Sequence, residues 1–110
     1  MQQCRAMIAC LINVIPEPVY EDYSFEVEDC AAAVENMLLA VTALGLATVW
    51  IDGWLRVDSR ADRIGELLGA PEGKIIQVVL PIGKPAEEYR RPKKKPFSER
   101  AWFNKYGQAD

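Results

Sequence analysis

The chain has 110 residues, enough for one compact domain and too few for two. Half of it is hydrophobic and the formal charge is −3, so no global field draws it to nucleic acid or to a membrane surface. It has no histidine, and its three cysteines, Cys4, Cys10 and Cys30, lack CxxC spacing, which argues against a zinc site and a disulfide framework.

Reduced thiols in a cytoplasm are the simplest reading of those cysteines. Without histidine there is no Ser-His or Cys-His catalytic pair. If the chain is an enzyme, a cofactor carries the chemistry. No run reaches the roughly 18 apolar residues that span a bilayer.

The start, MQQCRAMIACLINVI, has one Arg before an apolar run, as a signal peptide does. Cys10, Asn13 and the following Pro16-Glu17-Pro18 suit a signal peptide poorly. Residues Ala6 to Ile15 instead predict a central strand buried on both faces. PEPVYEDYS is loop or turn by its prolines and acids.

FEVEDCAAAVENMLLAVTALGLA then predicts the main helix. Its alanines, leucines and methionine are good helix formers. Val34, Leu38, Val41 and Gly45 fall on one helical face. Glu26, Glu28 and Asp29 crowd the positive end of the dipole, and Gly45 suits the stop just past the helix. Only Glu35, Asn36 and Thr42 interrupt its apolar circumference after the first turn. A helix apolar all round must be covered all round. A subunit interface is the natural second surface; the alternative is a helix sandwiched between the sheet and the chain's own other helices.

LATVWI predicts a short strand. Ser59 is placed to cap a second helix, with Asp62 as a weak capping-box partner. That helix is expected to carry Ile64, Leu67 and Leu68 inward and to stop at Gly69. Ala70-Pro71-Glu72-Gly73 is turn chemistry. IIQVVLPIG is a strand rich in β-branched residues, ended by Pro85. The remainder is polar and basic with spaced aromatics, and alone it builds no core. It is either disordered or wrapped over another surface.

Two stretches are candidate sites. In Arg90-Arg91-Pro92-Lys93-Lys94-Lys95 the plain reading is a solvated tail, and composition favours it. A nucleic-acid patch fits poorly, because Phe97, Trp102 and Phe103 follow the basic run rather than interleave with it. The third reading is a phosphate pocket, since alternate lysines in an extended segment, Lys93 and Lys95, point the same way. In WIDGW the plain reading is a strand end, with Trp50 in the core and Gly53 taking a positive φ in the turn. The functional reading is a backbone platform at Trp50, Ile51, Asp52 and Gly53 that a planar ligand approaches closely. Local sequence alone favours the plain reading.

The order of the pieces adds a resemblance. DCAAAVENMLLA, LGLATVWIDGW, ELLGAPEG, LPIGKP and RRPKKKPFSE follow one another between about Phe25 and Phe97. In that order and spacing the chain resembles the C-terminal half of the FMN-dependent nitroreductase family, with Met1 to Ile15 similar to the strand before the main helix. The resemblance implies an α+β fold, an antiparallel-dominated sheet packed with helices, and an intertwined homodimer paired through the helix at about residues 28–44. It implies a single domain over residues 1–110, with 85–110 as an extended basic and aromatic arm. It implies FMN as cofactor, NAD(P)H as electron donor, and a nitroaromatic, quinone or similar small-molecule acceptor. Backbone at Trp50, Ile51, Asp52 and Gly53 matches the family's isoalloxazine edge, with an amide near Asp52 facing flavin N5. Lys93 and Lys95 match its phosphate-binding pair.

Lys95 stands where the family has an arginine, keeping the charge but losing the bidentate fork. The family's N-terminal half, with its arginine-rich phosphate grip and its Ser/Asn segment beside the ring, has no counterpart here. A truncated reading frame, a fragment and a shortened homologue that dimerises to compensate all fit that difference. The functional alternative to the enzyme is a non-catalytic dimeric or flavin-binding module.

Overall fold

The computed structural model describes residues 4–87 and 92–108. Strand β1 (Ala6–Asn13) pairs antiparallel with strand β2 (Lys74–Ile82), from Ala6 opposite Ile82 to Asn13 opposite Lys74. Helix α1 (Glu26–Ala43) covers one face of this pair. A 3-10 turn (Gly53–Arg56) and helix α2 (Arg60–Leu68) cover the other. The antiparallel sheet between helices is the fold class the sequence implies.

One irregularity lets the sheet serve both layers. The register slips between Cys10 and Leu11, because Val78 faces Cys10 while Ile76 faces Leu11. Gln77 is therefore the extra residue of a β-bulge. Side chains on a strand alternate faces, so an inserted residue flips that parity. Val78 and Leu80 thus join Cys30 and Val34 beneath α1. Ile76 and Val79 join Leu55 and Ala61 on the opposite side.

The α1 boundaries follow the sequence signals. Acids open its first turn, and Gly45 takes φ 70° just past its end. Leu46 N–H donates to Val41 O at 3.0 Å and Gly45 N–H to Thr42 O at 3.0 Å, the paired bonds of a Schellman stop. Cys30, Val34 and Val41 are buried beneath it. Its outer face stays open, with Leu39 61% and Leu44 74% exposed among the exposed Glu28, Glu35, Asn36 and Thr42.

Several expectations need correction. β1 is an edge strand: among the described residues β2 alone pairs with it, and Met7 and Leu11 are exposed. It is not the buried central strand predicted, and it ends at Asn13. The stretch LATVWI is not a continuous strand. It meets the free edge of β2 only at Ala47 opposite Gly83 and Ile51 opposite Val79. That register sets Val49 opposite Pro81, and proline has no N–H to close the ladder there.

Helix α2 differs too. Ser59 precedes it but makes no side-chain cap and has φ 50°. Leu67 and Leu68 point outward, 84% and 51% exposed. Ala61 and Gly65 are the buried positions, with Ile64 half-buried beside them. Small residues let the helix lie close to the sheet: a Cβ on Gly65 would sit 3.5 Å from the Ala70 Cβ and 3.9 Å from Ile76 Cγ1. Gly69 ends the helix as expected, at φ 68°.

Residues 92–108 stand apart. Their aromatic and hydrogen-bond contacts, among the described residues, stay within the stretch, including Trp102 on Tyr106 at 4.2 Å. The radius of gyration is 17.9 Å. A compact chain of this size has about 13 Å. No helix among the described residues is long and apolar enough to cross a membrane.

Candidate functional site

The site grows from the end of the interrupted edge segment. Ile51 N–H donates to Val79 O at 3.1 Å, and Val79 N–H donates back to Ile51 O at 2.9 Å. Both main-chain groups of Ile51 are thereby used by the sheet. Directly afterward the chain leaves β2 and turns. Leu55 N–H closes that turn on Asp52 O at 2.8 Å, and the Leu55 side chain, 2% exposed, pins it into the core below α2.

The turn is braced from outside by Arg60. Its Nη1 donates to Trp54 O at 3.1 Å and its Nη2 to Asp58 Oδ2 at 2.6 Å. The guanidinium also lies over the Trp54 ring, 4.6 Å from the centroid. Asp58 and Ser59 between them take φ 55° and 50°. Left-handed backbone costs a non-glycine residue roughly 1 kcal/mol or more, so the tethers at either end hold a strained link. The Arg56–Asp52 pair, 3.9 Å apart and exposed, adds little.

What this leaves is a run of free donors. The backbone N–H groups of Asp52, Gly53 and Trp54 find no hydrogen-bond partner among the described residues. Beside them is open space: nothing lies within 4 Å of a Cβ built on Gly53. Trp50 and Trp54, on either side of Gly53 in the sequence, are 36% and 47% exposed. Two details differ from the plain sequence reading. Trp50 is not packed in the core, and Gly53 is not at positive φ but begins the 3-10 turn. Its value here is space, not handedness.

Lys93 and Lys95 lie on the arm, in a stretch without regular secondary structure between Pro92 and Pro96, and both are exposed. Arg100 Nε donates to Lys95 O at 3.1 Å, which holds the segment against the Phe97–Glu99 turn. No hydrogen bond or ion pair among the described residues joins this segment to the Trp50–Gly53 edge. The neighbouring Arg90 and Arg91 fall outside the described residues. Sequence reading missed Leu55 and Arg60. An isolated leucine between Trp54 and Arg56 is the one signal that marked the anchor; nothing marked the brace.

Residues 8–84 match the sequence profile of the nitroreductase family. The chain belongs to this family. A relative from Archaeoglobus fulgidus, provisionally named an NADH dehydrogenase/NAD(P)H nitroreductase, is 38% identical over 79 residues, 70% of this chain and 45% of the relative. A crystal structure from Bacteroides thetaiotaomicron, with the same provisional name, superposes with a TM-score of 0.73 at 27% identity, over 96% of this chain and 58% of that one. An FMN-dependent nitroreductase from Clostridium difficile shares the fold at a TM-score of 0.74 and 21% identity, over 96% of this chain and 60% of that one. The nitroreductase-family chain described here therefore spans less than two thirds of the length of each of these proteins. The matched region contains the whole Trp50–Gly53 edge and ends before Lys93.

Proposed function

We propose that the chain is the flavin-edge part of an FMN-dependent NAD(P)H oxidoreductase acting on a nitroaromatic, quinone or similar acceptor. One observation carries the reading. In a nitroreductase-family chain, three adjacent unpaired N–H groups, Asp52 to Trp54, border open space above Gly53. Unpaired donors just past a backbone bridge to β2 suit the heteroatoms of a planar ring, and the missing Cβ lets that ring approach. The residues present fit FMN at this edge.

In this reading the backbone of Trp50, Ile51, Asp52 and Gly53 forms one border of the ring site. Ile51 fixes its position through β2, since its own polar groups are taken. Asp52 and Gly53 donate to the ring through the main chain. Leu55 and Arg60 keep the donors aimed. Trp50 and Trp54 reduce the access of water from either side. Lys93 and Lys95 neutralise the FMN phosphate as point charges. Bound FMN supplies the two-electron chemistry between nicotinamide donor and acceptor. The working form is a cytoplasmic homodimer paired through the open face of the helix at about residues 28–44, where Leu39 is exposed. Residues 1–110 act as one domain with 85–110 as its arm.

An ultraviolet-visible titration of the purified chain with FMN tests the reading. A yellow protein that bleaches with NADH or NADPH and reoxidises in air supports the oxidoreductase. A yellow but redox-silent protein makes it a flavin-binding module instead. A colourless protein that refuses FMN ends the flavin reading.

A further inference from the structure

Cys10 lies on β1 and Cys30 on α1, and they face each other across the first core layer. Cys30 is buried; Cys10, its partner on the strand, is half-buried. The Cys10 side chain packs against the buried cluster that contains Cys30. Both also line an open groove of about 440 Å³ that separates the β1 edge from α1. A peroxide molecule is little larger than water, whose share of the liquid is about 30 Å³. The groove admits it readily.

We infer that Cys10 and Cys30 form an oxidisable dithiol, closed to an intrachain disulfide by small hydroperoxides and reopened by thiol reductants. The step balances without another reagent. The Cys10 thiolate attacks one peroxide oxygen; an S–O bond forms and the O–O bond breaks. The departing hydroxide takes the proton Cys10 lost and leaves as water. The Cys30 sulfur then attacks the Cys10 sulfur; the S–S bond forms and the S–O bond breaks. That second hydroxide leaves as water with the Cys30 proton. Two thiols are oxidised by two electrons and one peroxide is reduced.

Geometry selects the pair. Cys4 precedes β1 and lines a different groove, with Arg5, Leu46 and Lys84. The strand from Ala6 to Cys10 alone spans about 13 Å. Bridged cysteines need Cα atoms within about 7 Å. Burial pushes both the Cys10 and Cys30 thiols above their ordinary range. Thiolate is then scarce at neutral pH, so the reaction is slow there and climbs with pH. The bridge joins the edge strand to α1 and closes the loop between them, which raises resistance to unfolding. None of this depends on the flavin reading.

The test uses the whole reduced chain, a small excess of hydrogen peroxide, and alkylation under denaturing conditions. Trypsin leaves Cys10 and Cys30 in one peptide, Ala6–Arg56, and Cys4 in Met1–Arg5. The expected result is an Ala6–Arg56 peptide two hydrogens lighter and unalkylated, restored by dithiothreitol. Cleavage after Glu21 or Glu26 should leave its two halves joined. The rate should rise about tenfold per pH unit across neutrality, as thiolate does well below a thiol's pKa. Cys4→Ser should behave as the wild type, whereas Cys10→Ser and Cys30→Ser should form no internal bridge. A bridge to Cys4, a bridge between chains, a sulfinic acid at Cys10 without any bridge, or a rate flat with pH overturns the proposal. Oxidation of guanidinium-unfolded chain is the control for folding: equal scatter among the three cysteines in both states also overturns it.

Discussion

The Glu26 carboxylate accepts two hydrogen bonds from one residue, Asn13: its backbone N–H at 2.8 Å and its side-chain amide. Lys74 Nζ donates in turn to the Asn13 side-chain oxygen. The first turn of α1, the end of β1 and the start of β2 are thereby tied at one point. The Asn13 bonds hold the Glu26 carboxyl below its ordinary 4.5. A depressed carboxyl pKa contributes stability that is fully present above the unfolded value and is lost as pH falls through the folded one. Denaturant midpoints should therefore fall from about pH 5 downward, and Glu26→Gln should flatten that part of the profile. An unchanged acid limb in the variant would show that other carboxylates set it.

The open face of α1 gives the second prediction. Leu39 is 61% exposed, so one chain alone gains little from it. Leu39→Glu should leave secondary structure and the cooperativity of unfolding intact if the chain is a monomer. If two chains pair through this face, the variant should sediment as a smaller species or lose solubility, because a buried unpaired carboxylate costs several kcal/mol. Equal sedimentation of variant and wild type, both as monomers, would rule out pairing through α1.

What could be read in advance divides by range. The α1 helix and its Gly45 stop rest on signals within a few residues: helix formers, acids at the start and a glycine after the last turn. β2 is legible from its β-branched run. The interruption opposite Pro81 is not, because it depends on which segment lies beside the proline. The face of α2 misleads for a related reason. Ala61 and Gly65 are buried because the helix approaches closely, and a reading keyed to large apolar side chains turns the helix toward Leu67 instead. At the site, the sequence marks Asp52 and Gly53, but only the fold reveals that Ile51 is consumed by Val79 while the next three N–H groups stay free. The lysines were legible as charge.

Those lysines carry the third prediction. Lys93 and Lys95 are exposed and offer point charges rather than a fork. FMN affinity should fall as salt rises, since screening acts strongly on exposed charges. Lys93→Ala and Lys95→Ala should each weaken FMN by roughly tenfold, about 1.4 kcal/mol, and riboflavin little. Equal losses for FMN and riboflavin would place the lysines away from the phosphate.

Gly53 separates a structural role from a binding one. It starts the 3-10 turn outside the left-handed region, and nothing lies within 4 Å of an added Cβ. Gly53→Ala should therefore fold normally. Reducing the freedom of the unfolded chain should even stabilise it by about 0.4–1 kcal/mol. If a flavin ring lies against this backbone, the new methyl occupies its space, and FMN affinity should drop about tenfold or more. Asp52→Asn is the companion variant. It keeps the main-chain donor and removes only a weak surface pair with Arg56, so FMN binding should stay close to the wild type. The opposite pattern, with Asp52→Asn losing flavin and Gly53→Ala keeping it, would shift the contact from the backbone to the Asp52 carboxylate. Thermal melts of both proteins decide whether any loss is one of folding, because the open space at Gly53 predicts no loss there.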